Sequence, residues 1–205
     1  MPVITDITRQ RKRVERYSIF VDGAYRFSLS DLELSNSGLV IGQELSPVEV
    51  ERWEGDSEVS KALGRTYDLL ARRPRSQHEL ERYLKTKDYP ETVIRRVAER
   101  LTEQGLLDDL AFARQWVSER GSSRSRHQLT QELRLKGIES ATIEMALDEL
   151  TGETERAAVR RLVEKRLRSS RPPDRQALTR YLSTKGFNYG LIKAVLEEDF
   201  SESPL

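Results

Sequence analysis

The chain has 205 residues, 34% charged and 37% hydrophobic, with 35 Lys and Arg against 34 Asp and Glu for a formal net charge of +1. That apolar share supports several small cores rather than one large one, and the balanced charge names no partner unless cations cluster locally. Cysteine is absent, which excludes a disulfide framework or a thiolate metal site, and there is no apolar run of signal-peptide or membrane-span length, so a soluble cytoplasmic protein is expected.

Residues 1 to about 45 carry β signals. Residues 17–21 and 24–29 are rich in β-branched and aromatic side chains, and Asp22-Gly23 between them reads as a two-residue hairpin turn, because both positions need positive φ. Residues 4–8 are a candidate third strand, 31–36 a short helix stopped near Gly38, and 39–42 a last strand or an extended arm. So small a β-rich module needs packing against the helices C-terminal to it. Ser46 caps the next helix, with Pro47 at its first position and Glu49 three residues after the cap. This helix is expected to reach Glu54 and to be interrupted at Gly55. A second start near Ser57 leads to an end before Arg72-Arg73-Pro74-Arg75, since Pro74 disfavours helical geometry in the residue before it.

From there the chain repeats itself. Leu80, Leu129 and Leu178 fall 49 residues apart (129 − 80 and 178 − 129 both give 49), and the same step links Lys87, Lys136 and Lys185, or Ile94, Ile143 and Ile192. A fixed period of this length marks a repeat array in which stacked units bury a core. Ser76-x-x-Glu79 and Ser125-x-x-Gln128 are capping boxes, while in the third copy Asp174 caps and Ala177 returns nothing. Each capped helix ends at a turn, Lys87-Asp88, Lys136-Gly137 or Lys185-Gly186, where glycine reaches the left-handed conformation freely and Asp88 carries modest strain. After the turn comes an amphipathic helix, with Val93, Ile94, Val97 and Leu101 on its inner face in the first copy, Ile143, Ala146, Leu147 and Leu150 in the second, and Ile192, Val195 and Leu196 in the third. Phe112, Ala113, Trp116 and Val117, and later Ala158, Leu162, Val163 and Leu167, supply a leading helix to the second and third units.

The expected fold is therefore mainly α. Three tandem three-helix repeats form an elongated curved rod behind a small N-terminal module containing a β-hairpin. The expected division is 1–56 for the module and a short helix, then 57–106, 107–151 and 152–205 for the repeats, with a disordered tail at 201–205.

Catalytic chemistry finds little support. His78 and His127 occupy equivalent positions one period apart and read as exposed polar residues, without the orienting partner that acid–base work needs. Asp108-Asp109 is explained by a helix cap, and the glycines fall singly at helix ends rather than in a phosphate-cradling pattern. No catalytic, cofactor-binding or metal-ligating residue is expected, and no cofactor.

The distinctive constellation is basic. The joint between the first and second helix of each unit carries Arg72, Arg73 and Arg75 in the first, Arg120, Arg124 and Arg126 in the second, and Lys165, Arg166, Arg168 and Arg171 in the third. Lys85, Lys87, Arg134, Lys136 and Lys185 form a secondary row, and Arg9, Arg11, Lys12, Arg13 and Arg16 a further group near the N-terminus. Cations near helix C-termini are favoured by the helix dipole, which covers part of this pattern. Recurrence at all three joints favours the other account, a track along one edge for a polyanion, either nucleic-acid phosphate or an acidic protein surface.

The 49-residue triplication, together with residues 71–80 (ARRPRSQHEL), 105–113 (GLLDDLAFA) and 131–138 (QELRLKGI), resembles the bacterial regulatory RecX family, and residues 17–30 resemble the N-terminal extension of its longer members. Asp88 and the cap of the third unit depart from the family pattern. The resemblance implies a non-enzymatic regulator, a monomer without cofactors. It would lie in the groove of the RecA–DNA filament, restraining RecA's ATP hydrolysis, strand exchange and co-protease activity, with direct DNA contact left open. The residues themselves leave two alternatives. One is a stand-alone DNA-binding protein using helix-turn-helix-like pairs, against which Glu144, Asp148 and Glu149 stand in the expected reading helix without a Lys or Arg. The other is a generic helical-repeat scaffold for an acidic partner.

Overall fold

The computed structural model describes residues 1–11 and 15–200. Lys12, Arg13 and the tail 201–205, expected to be disordered, lie outside the described residues. The chain divides into two compact units, Met1–Pro74 with Leu80–Leu106, and Arg75–Glu79 with Leu107–Leu205.

The first unit begins with a three-stranded antiparallel sheet, β1 (Ile4–Arg9), β2 (Arg16–Val21) and β3 (Ala24–Ser30), in the order β1-β2-β3. Asp22 (φ 51°) and Gly23 (φ 77°) form the expected hairpin turn, both left-handed. Ile4, Ile19, Val21, Phe27 and Leu29 gather on one face with Leu39, Leu45 and Val50, and Trp53 stacks on Phe27 at 6.1 Å between ring centroids. Helix α1 (Asp31–Ser37) starts at a complete Ser30–Glu33 capping box and stops at Gly38 (φ 67°). Of the two readings open for 39–42, a last strand or an extended arm, the strand does not form. That segment is irregular: Gly42 N–H donates to Ile4 O, and Ile4 N–H to Gln43 O, so it borders β1 through a few bonds without a ladder.

Helix α2 (Pro47–Leu70) corrects the expectation of two helices divided at Gly55. A mid-helix glycine costs about 1 kcal/mol against alanine, but tertiary contacts on both sides outweigh it. Val50 and Ser57 bury toward the sheet, Val59, Ala62 and Leu63 are buried further along, and Asp56 beside the glycine pairs with Arg96 at 2.6 Å. The sheet is fastened to α2 by a polar network. Ser57 Oγ donates to Ser28 O (2.7 Å) and accepts from Ser28 N (3.0 Å). Arg16 donates to Ser60 Oγ (2.9 Å) and Ser28 O (2.8 Å), and Ser60 donates to Glu33 Oε2 (2.9 Å). Burial works to raise the Glu33 pKa, yet hydrogen bonds from the Ser30 backbone, Ser30 and Ser60 hydroxyls and the Arg16 charge together hold it below the ordinary carboxylate value. Helices α3 (Gln77–Lys85) and α4 (Glu91–Glu103) come next, with Leu80, Leu84, Val93, Ile94, Val97 and Leu101 all buried as the periodicity requires.

The second unit holds α5 (Asp109–Arg120), α6 (Arg126–Leu135) and α7 (Ser140–Leu147), then α8 (Gly152–Leu167), α9 (Arg175–Thr184) and α10 (Tyr189–Phe200). The two triplets have separate apolar clusters. Phe112, Ala113, Val117, Leu129, Leu133, Ile138, Ile143, Ala146, Leu147 and Leu150 close one, with Ala158, Val159, Val163, Leu178, Leu182, Phe187, Ile192, Val195 and Leu196 in the other. Second-helix ends share one geometry. Ile138 N–H reaches back to Leu133 O and Phe187 N–H to Leu182 O, around Gly137 (φ 78°) and Gly186 (φ 77°). In the first unit Tyr89 N–H reaches Leu84 O in the same way around Asp88, which does adopt the left-handed conformation (φ 60°).

Candidate functional site at the repeat joints

The start of α6 is a docked helix N-terminus. Ser125 Oγ accepts from Gln128 N (3.2 Å) as a cap and donates to Lys185 O (2.6 Å), the carbonyl at the end of α9. Arg126 N–H is held by Glu155 of α8 (3.2 Å). The expected return bond from Gln128 is missing: its Oε1 is buried without a hydrogen-bond partner, because the inward-turned amide no longer faces the cap backbone. The start of α3, which belongs to the same compact unit, repeats this arrangement. Ser76 Oγ accepts from Glu79 N (3.2 Å) and donates to Lys136 O (2.6 Å), while Gln77 N–H is held by Asp109 (2.8 Å). Glu79, 7% exposed, also takes Lys136 Nζ at 2.6 Å. Asp108, as expected, caps α5 through Leu110 N and Ala111 N.

The two histidines acquire a role at these joints. Both remain exposed, as the sequence suggests, but each packs on a turn glycine of the following triplet. A Cβ added to Gly137 would overlap the His78 side chain, and one on Gly186 would lie 3.0 Å from His127 Cβ. The glycines are thus required twice, for φ and for close approach. The 49-residue step placing both histidines one position before the cap-plus-three residue was the available signal. Among the described residues no group of His, Asp and Glu is arranged to hold a metal ion, and no helix is long and apolar enough to cross a membrane.

The basic joints are not equivalent. At the second, Arg120 lies over the Trp116 ring at 3.9 Å, and Arg124 Nε pairs with Glu132 Oε1 at 3.1 Å. Trp116 Nε1–H donates to Glu132 Oε2 (2.9 Å), and Arg126 donates to Leu147 O (2.8 Å). Lys136 covers the same ring at 5.0 Å. These cations build the joint. At the third, Arg166 lies over Tyr181 at 4.3 Å, Arg168 makes a loose contact with Glu164 (3.6 Å), and Lys165 and Arg171 are exposed. At the first, Arg72 and Arg73 are exposed beyond α2, Arg73 donating to Pro74 O, and Arg75 is half-buried with its Nε unpartnered. Arg16, from the N-terminal basic group, belongs to the polar network of the sheet.

In the secondary row, Lys85 pairs with Glu91 (3.3 Å), and Arg134 is exposed. The three turn lysines share a feature that charge alone concealed: each covers an aromatic ring. Lys87 lies over Tyr83 and Lys185 over Tyr181, both at 5.8 Å, from four residues along the same helix. The corresponding residue of the middle copy is Glu132, and there α5 lends Trp116 to Lys136 instead. Such contacts contribute about 0.5–1 kcal/mol at exposed sites.

Family models match the chain in the order of these elements: the regulatory protein RecX N-terminal domain over residues 2–46, and the first, second and third three-helix domains of RecX over 62–101, 108–147 and 153–196. The chain belongs to the RecX family. Regulatory protein RecX of Halalkalibacterium halodurans is 34% identical, over 100% of this chain and 79% of that protein, and that of Bacillus subtilis 33% identical over 97% and 77%. A crystal structure of regulatory protein RecX superimposes with a TM-score of 0.78 at 28% identity, covering 96% of this chain and 100% of that one. RecX from Lactobacillus salivarius shares the fold over 69% of this chain and 96% of its own, with a TM-score of 0.62 at 24% identity.

Proposed function

We propose that this protein is a non-enzymatic regulator that binds the RecA–DNA filament in the bacterial cytoplasm and inhibits RecA's ATP hydrolysis, strand exchange and co-protease activity. It acts as a monomer, in DNA repair and the SOS response. The observation that carries this reading is identity of about a third, along the whole chain, to proteins named regulatory protein RecX. The structure supplies cations suited to an acidic protein surface or DNA phosphate: Lys165, Arg168 and Arg171 at the third joint and Arg72 at the first are exposed rather than built into the fold. A DNA-reading helix is not supported, because α7 has no Lys or Arg, carries Glu144, and is followed by Asp148 and Glu149.

The test is ATP hydrolysis by RecA on single-stranded DNA with increasing amounts of this protein. Inhibition that saturates is expected, and an unchanged rate at saturating protein would overturn the reading. Replacing Arg72, Arg73, Lys165, Arg168 and Arg171 by Ala should shift the inhibition curve to higher protein concentrations; unchanged inhibition would remove the joints from the mechanism.

A further inference from the structure

The second and third joints each lay two cations on one aromatic ring: Arg120 (3.9 Å) and Lys136 (5.0 Å) on Trp116, and Arg166 (4.3 Å) and Lys185 (5.8 Å) on Tyr181. Only the second joint supplies an anion to go with them. Glu132 Oε1 takes Arg124 Nε at 3.1 Å, while Oε2 takes the Trp116 N–H at 2.9 Å and stands 3.9 Å from Arg120. In the third copy the position of Glu132 is held by Tyr181 itself, so the change that brings the ring removes the acid. Among the described residues no carboxylate pairs with Arg166 or Lys185, and the Tyr181 hydroxyl has no hydrogen-bond partner. Like charges gathered on one ring repel, and an oxyanion brought to them relieves the repulsion.

Two observations select a protein carboxylate over the phosphates of nucleic acid. The first is the second joint, where the group that two arginines and an N–H donor surround is a side-chain carboxylate. The second is the charge at the margins, because Glu164 and Asp174, both exposed, flank the turn between α8 and α9 in sequence. A nucleic-acid strand, charged at every nucleotide, would run its phosphates past these acids, whereas one acidic side chain need reach only the ring. A triplet placed behind such a joint does not close it. With α8–α10 behind the second joint, the side chains of Arg120, Arg124 and Glu132 stay 40%, 38% and 26% exposed.

We propose that Arg166, Lys185 and the Tyr181 hydroxyl bind an acidic side chain of a protein partner, which takes the part that Glu132 plays inside the second joint. Arg166 and Lys185 supply the charge, and the hydroxyl donates as the Trp116 N–H does. Lys165 and Arg171, both exposed, add attraction at longer range. The proposal rests on the reading of this chain as a ligand of the RecA–DNA filament, and gives the ring of the third joint to the protein of that filament rather than to its DNA.

Two measurements test it. In the first, a capped glutamate peptide is titrated at low salt into the full chain, followed by the NMR signals of the Arg166 Nε–H and the Tyr181 ring. Both signals should move and saturate. Arg166→Gln with Lys185→Gln should weaken the peptide about tenfold, and Tyr181→Phe, which keeps the ring, by a smaller factor. Signals that move for neither ligand, or that answer an oligothymidylate at lower concentration than the peptide, would overturn the proposal. The second measurement is ATP hydrolysis by RecA on single-stranded DNA. The double variant should need about tenfold more protein for half-inhibition, yet bind naked oligothymidylate as the native chain does. Inhibition equal to native, or a parallel loss of oligothymidylate binding, would overturn the proposal and leave the regulatory reading standing. A native chain that does not inhibit RecA would overturn that reading, and the peptide titration would still decide what the ring binds.

Discussion

The second and third joints look alike as strings of arginine and lysine, yet their charges do different work. Around Trp116, Glu132 collects Arg124 and the indole N–H while Arg120 and Lys136 cover the ring, so the second joint is a small polar core. The third has no counterpart of Glu132: Tyr181 stands at that position, engages Arg166, and leaves Lys165 and Arg171 to solvent. One residue, an acid in one copy and an aromatic in the other, decides whether neighbouring cations hold the fold together or remain available to a partner.

The largest effect should come from the glycines that seat the joints. Gly137→Ala, which combines positive φ with overlap on His78, is expected to cost about 3 kcal/mol in urea denaturation. Gly105→Ala, at φ +68° with nothing within 4 Å, should cost only about 1 kcal/mol. Equal losses would mean the α3 start is not tightly docked.

Next comes the acid that separates the two joints. Glu132→Gln leaves Arg124 and Arg120 without their carboxylate in a partly buried site, an expected loss of about 2 kcal/mol. Glu164→Gln, its exposed counterpart near the third joint, should change stability by less than about 0.5 kcal/mol. If the two cost the same, the distinction between built-in and available cations fails.

The Glu33 network offers a third comparison, between an anion inside the fold and those on the surface. Because folding depresses its pKa, its stabilising contribution is complete above the ordinary carboxylate value of about 4.3 and is lost as pH falls through the lower folded value. Glu33→Gln should therefore flatten the fall in unfolding free energy in acid below about pH 4.3. An acid limb as steep as that of the native protein would assign the dependence elsewhere.

The smallest effect on stability, and the most direct on function, belongs to the available cations. Replacing Lys165, Arg168 and Arg171 by Ala should leave stability within about 0.5 kcal/mol of native. It should also reduce the salt dependence of filament binding, by about 0.7–0.9 in log–log slope for each cation that meets a phosphate. Arg120→Ala with Arg124→Ala should do the reverse, lowering stability with little change in that slope.

Most of the fold was legible because it rests on local rules. The hairpin followed from Asp22-Gly23, the helix starts from Ser46, Ser125 and Asp174, and the inner faces from Leu and Ile recurring at helical spacing. Misreadings arose where distant residues overrode a local signal. Gly55 reads as a break, but Asp56 with Arg96 and the buried residues on both sides carry the helix through it. Residues 39–42 left a strand or an extended arm open, and only their few bonds to β1, short of a ladder, decide against the strand. Gln128 has the spacing of a capping box, yet its amide oxygen is turned inward.

The order of residues was enough to establish that a unit recurs every 49 positions, where its capped second helix begins and turns, and which side of each helix is apolar, because caps, turns and amphipathic spacing act within a few residues of chain. What each charge does was settled by packing. Ser76 and Lys136 are 60 positions apart, as are Ser125 and Lys185, and Trp116 meets Glu132 across two helices. Such partners are chosen by how helices pack, and a basic side chain looks the same in sequence whether it lies over an indole ring or faces water.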